Sequence, residues 1–136
     1  MKNRKGFTLI EILLVVAIIG TLAAMIVPRL SGRSEQAKIT VAKVDIESNI
    51  ASALKLYELD NGAFPSTAQS LDALLRKPSI TPIPSNWSGP YLEREPVDPW
   101  GRKYQYQYPG THGKSYDLFS NGAKENDEKS RIANWT

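Results

Sequence analysis

Residues 5–20 read KGFTLIEILLVVAIIG, and how they are read decides everything downstream. From Phe7 to Val27 the one strongly polar side chain is Glu11; Thr8 and Thr21 can return their hydroxyls to helix carbonyls. About twenty residues at a rise of 1.5 Å cover roughly 30 Å, the thickness of a bilayer's hydrocarbon core. A lone segment in lipid satisfies its backbone only as a helix. A carboxylate inside such a segment is costly unless something pairs with it. Glu11 therefore asks for a partner.

Three readings of the segment are open. It is a secretory signal peptide, although its apolar run is long and AAMIVPRLSG is a poor small-residue cleavage site. It is a plain signal anchor, which leaves Glu11 unexplained. Or it is cut between Gly6 and Phe7, leaving a cationic amine on Phe7 one helical turn from Glu11. Lys2, Arg4 and Lys5 precede the apolar run, which keeps the N-terminus cytoplasmic and sends the rest across the membrane.

Composition narrows the remainder. The net charge is +3, but with three of the 17 basic residues ahead of residue 7, 14 basic side chains face 14 acidic ones. The exported part is neutral, and no basic nucleic-acid-binding face is expected. Without cysteine, disulfides and thiolate metal sites are excluded. About a hundred residues after the span suffice for one small core.

Pro28 ends the apolar run and predicts a kink or local melting of the helix, helped by the polar SGRSEQ. Helical spacing then returns at Ile39, Ala42, Ile46, Ile50, Ala53, Leu54 and Tyr57, with Lys38, Lys43, Asp45, Glu47 and Lys55 on the opposite face. One long helix from about Phe7 to Asp60 is predicted, stopped by DNGAFP. Ser66–Leu75 reads as a short second helix with a Ser66/Gln69 capping box and Leu71, Leu74 and Leu75 inward. A proline-rich loop follows. RKYQYQYP alternates and sets Tyr104, Tyr106 and Tyr108 on one strand face; HGKSYDLFS supplies an antiparallel partner. The fold class is α+β, a long helix packed on a small antiparallel sheet. The turn DPWG, Asp98–Gly101, packs Trp100 on the core. The single histidine, His112, lies in a glycine-rich turn and reads as solvated. No nucleophile–base arrangement or phosphate-binding loop is present, so no enzymatic activity is expected.

KGFTLIEILLVVAIIG resembles the class III leader of type IV pilins and pseudopilins. The resemblance implies that a prepilin peptidase cuts after Gly6 and methylates the amine of Phe7, and it puts Glu11 at the acidic assembly position. LYELDNGAFPSTAQSLDALL, GPYLEREPVDPWGRKYQYQYPG and YDLFSNGA are similar, in order, to blocks of the major pseudopilins of type II secretion systems. What this implies is a leader at 1–6, a membrane and filament-core helix at 7–27 and a periplasmic domain at 28–136. It also implies a homopolymeric filament, an inner-membrane assembly platform and minor pseudopilins as partners, and a single-pass place in the bacterial inner membrane. The alternatives are a type IV or competence pilin, whose usual disulfide-closed loop is missing here, and a membrane-anchored periplasmic binding module.

The resemblance further implies calcium in the C-terminal loop. The pattern is disrupted at Lys124, Ser130 and Arg131, and the remaining oxygen donors, Asn126, Asp127 and Glu128, do not fall on matching positions. The competing expectation is a metal-free loop, held by ion pairs from Lys124 or Arg131 to Asp127 or Glu128 and by packing of Trp135.

Overall fold

The computed structural model describes residues 6–136, and for residues 26–31 the backbone alone. The leader residues Lys2, Arg4 and Lys5 lie outside the described residues. The backbone divides into two units that meet between residues 36 and 37.

Helix α1 runs Leu9–Val44. Leu9–Met25 are exposed throughout, as a helix that is apolar on every side must be when nothing surrounds it. Among the described residues no helix is long and apolar enough to cross a membrane. The last residues of the expected span, Ile26 and Val27, have no described side chains. The predicted melting at Pro28 is not seen, because the helix continues through it. One missing N–H costs about 3 kcal/mol in a helix interior, and the intact turns on either side carry the helix past it.

In the second unit, the predicted stripe is the core. Ala42, Ile46, Ile50, Ala53, Leu54 and Tyr57 are buried, with Ile39 at the margin. The helix is not uniform, however. A π turn, Asp45–Asn49, separates α1 from α2, Ile50–Asn61. Ile46, Ile50 and Leu54 stand four apart, and each such step overruns an α-helical turn by about 40°. A wider turn between them lets the stripe stay on one side. Asp45, expected on the outer face, is half-buried and accepts the Tyr104 hydroxyl at 2.7 Å. Burial first, and Asp45 second, push the Tyr104 phenol well above its ordinary range, so it remains a neutral donor. The helix stops at Gly62, whose φ of +85° and N–H bond to the Glu58 carbonyl at 2.7 Å make a left-handed cap.

The Ser66/Gln69 box forms in both directions, at 2.8 and 3.1 Å. It does not open the α-helix expected over Ser66–Leu75. Ser70 turns to a φ of +58°, and only the 3-10 helix Leu71–Leu74 follows. The Gln69 amide instead donates to the carbonyls of Ile80 and Pro82, pinning the proline-rich loop. Three short strands complete the unit: β1, Gln105–Gln107, β2, Asp117–Ser120, and β3, Ile132–Ala133. They form an antiparallel sheet in that order, with Tyr106 opposite Leu118 and Phe119 opposite Ala133. Tyr104, Leu118 and Ile132 cover the helical stripe. The architecture is the α+β arrangement expected.

Candidate functional site

Two places carry the predicted functional residues, one in each unit. At the start of α1, Gly6 precedes Phe7, whose side chain is 86% exposed. The sequence left Glu11 asking for a partner, with the Phe7 amine one helical turn away. The structure gives it a local role. The Thr8 N–H donates to Glu11 Oε2 at 3.0 Å, and the Glu11 N–H donates to Thr8 Oγ1 at 3.2 Å. This is a capping box, which satisfies two orphan donors and sets a negative charge against the positive end of the helix dipole. Its signal, Thr8-x-x-Glu11 before an apolar run, stood in the sequence unread. The box leaves Glu11 with lone pairs to spare, since a carboxylate offers about four acceptor positions. Phe7, Glu11, Ile12, Leu14, Val15 and Val16 line one shallow apolar groove beside it.

In the second unit the C-terminal loop joins β2 to β3. The ion pairs expected there do not form: neither Lys124 nor Arg131 bridges to Asp127 or Glu128. Arg131 lies over the Phe119 ring, 4.7 Å from its centroid. Asp127 caps the short 3-10 helix Glu128–Ser130, its Oδ1 accepting the Lys129 N–H at 3.0 Å. Asn126 and Glu128 are exposed. The centre of the loop holds the Ser130 hydroxyl, 2.6 Å from the Asn121 carbonyl oxygen, 2.8 Å from that of Lys124 and 2.9 Å from that of Asp127. Calcium takes six to eight oxygens, several of them anionic. Here the convergent oxygens are neutral carbonyls, their centre is filled, and among the described residues no three acidic or histidine side chains gather. The donor set does not fit calcium.

Two buried carboxylates were missed because hydrogen bonds across turns and between strands leave no periodic pattern. Asp98, 4% exposed, accepts the N–H groups of Trp100 and Arg102 and the Ser120 hydroxyl, so DPWG is an anchor as well as a turn. Trp100 packs against the core as expected. Asp117, 2% exposed, accepts from the N–H and hydroxyl of Thr111. His112 is not simply solvated. Its Nδ1 lies 2.9 Å from Asp117 Oδ2, and its ring stacks on Trp135 at 3.9 Å. Trp135 also meets the Phe119 ring edge-on at 5.5 Å, which ties down the chain's end.

Comparison with known proteins agrees with this division. Residues 1–27 match the prokaryotic N-terminal methylation motif, and residues 29–135 match the family of type II secretion system protein G. The chain is 53% identical to the type II secretion system core protein G of Pseudomonas aeruginosa, covering 98% of this chain and 96% of the relative. It is 42% identical to the protein of that name in Escherichia coli K12, over 98% and 92%. Among solved structures it resembles the major pseudopilin of the type 2 secretion system of enterohaemorrhagic Escherichia coli, with a TM-score of 0.69 and 38% identity, over 78% of this chain and 89% of that one. A methylation motif opening an exposed apolar helix, followed by this α+β domain, makes the chain a member of the type II secretion system protein G family, a pilin-like pseudopilin.

Proposed function

We propose that the chain is cut after Gly6, methylated on Phe7, held in the bacterial inner membrane by the helix that Phe7 opens, and drawn from there into a periplasmic filament. The filament drives folded proteins across the outer membrane. The observation that carries this reading is an exposed apolar helix, Leu9–Met25, with one carboxylate in it that, among the described residues, bonds to the Thr8 backbone. Such a surface wants lipid or other copies of itself. In lipid the capping box keeps Glu11 tolerable near the headgroups. In the filament the amine of one subunit's Phe7 meets the Glu11 of another in low dielectric. The pair selects register more than it adds affinity, since misplacing either charge leaves the other buried alone, at about 3–5 kcal/mol.

The second unit stays in the periplasm and has no chemistry of its own. In this reading the chain is a substrate for a prepilin peptidase and methylase, a partner of an assembly platform and of minor pseudopilins, and not an enzyme. Glu11→Ala tests it: the variant should insert and be cleaved as the natural chain is, yet form few or no filaments in a shearing and pelleting assay. Normal filaments would defeat the proposal. Gly6→Leu should abolish cleavage, read as a product whose N-terminal mass still includes the leader.

A further inference from the structure

The C-terminal loop poses a problem of proton accounting. Ser130 has one hydroxyl proton and three carbonyl oxygens within 2.9 Å. Two of those carbonyls are already served. The Lys124 carbonyl accepts the Asp127 N–H at 3.2 Å, and the Asp127 carbonyl accepts the Ser130 N–H at 3.0 Å. The Asn121 carbonyl is left, and it makes the shortest contact, so the proton goes there. The lone pairs of the Ser130 hydroxyl oxygen receive the Lys124 N–H at 3.3 Å. One neutral hydroxyl thus ties the first, middle and last turns of the loop together.

Two further features fit that closure and oppose a cation. The backbone at Gly122, φ +75°, lies so close that a Cβ there would sit 1.9 Å from the Ser130 carbonyl oxygen. The loop is drawn in to van der Waals contact around the serine. The Arg102 guanidinium donates to the Gly122 carbonyl, which sets a positive charge against the loop. A divalent ion at the centre would be repelled by that charge.

We propose that the Ser130 hydroxyl closes the C-terminal loop in the place a divalent cation would otherwise take, so that this pseudopilin folds and holds its loop without calcium. The inference concerns the folded subunit and does not depend on the filament reading, because its test measures no assembly. The full-length chain in detergent is melted with calcium at about 1 mM and again with excess chelator. The two midpoints are expected to agree within about 1 °C. Ser130→Ala is expected to melt about 5 °C or more below the natural chain, and calcium is expected to restore none of it. Amide exchange of the natural chain supplies a second reading should the variant fail to fold: the Lys124 N–H is expected to be equally protected in calcium and in chelator. A calcium-dependent rise of several degrees, slower exchange in calcium, or a Ser130→Ala variant that melts with the natural chain would each overturn the proposal.

Discussion

Asp117 shows how a single residue reports on its surroundings. Burial pushes its carboxyl up, but hydrogen bonds from Thr111 and His112 outweigh burial and hold it below the ordinary value of 3.8. A carboxylate whose folded value is depressed contributes stability that is complete above its unfolded value and fades as pH falls through its folded one. The denaturation midpoint should therefore be flat from neutrality down to about pH 4 as far as Asp117 is concerned, and fall below it. In Asp117→Asn that portion of the acid loss should disappear, with a lower midpoint at neutral pH. Urea titrations at several pH values check both. Residues of this kind were hard to find in the sequence. Asp98 depends on Ser120, Asp117 on Thr111 and His112, and Ser130 on the carbonyl of Asn121; a hydrogen bond across a turn or between strands leaves no periodic trace. Thr8–Glu11 differs, because its spacing is a helix-start signal that sequence alone supplies.

At the scale of the element, the helical stripe is the most legible feature. Every apolar position picked by its spacing from Ala42 to Tyr57 is buried. Ile50 opens α2 just after the π turn and is 1% exposed. Ile50→Ala should cost about 2–5 kcal/mol, by lost transfer energy and a cavity the surrounding residues fill incompletely. Leu56→Ala, on the exposed side of the same helix, should cost well under 1 kcal/mol. Thermal melting of the two variants checks the contrast, and equal losses would mean that α2 presents a different face to the sheet. The π turn itself was latent in the run of four-residue steps. The second helix failed as a prediction for a local reason: a capping box starts a turn but does not sustain one, and Ser70 leaves helical backbone while Gln69 turns its amide to the proline-rich loop. The alternating tyrosines placed the first strand, although pairing confines β1 to Gln105–Gln107; the partner expected over HGKSYDLFS forms only at Asp117–Ser120, and Ile132–Ala133, read as part of the terminal loop, is the third strand.

At the scale of the whole molecule, two kinds of surface divide the labour. The second unit buries its apolar stripe under its own sheet. The first exposes its apolar side chains at every turn from Leu9 to Met25, and within one chain that exposure has no remedy. In the proposed filament, packing against other copies supplies it, and the proposed Phe7–Glu11 pair sets the register. The most direct measurement is a cryo-electron-microscopy structure of filaments assembled from the processed chain. It should place the Phe7 amine of one subunit within about 4 Å of the Glu11 carboxylate of another. Filaments in which Glu11 binds only Thr8 of its own chain, or in which the subunits still begin at Met1, would contradict it.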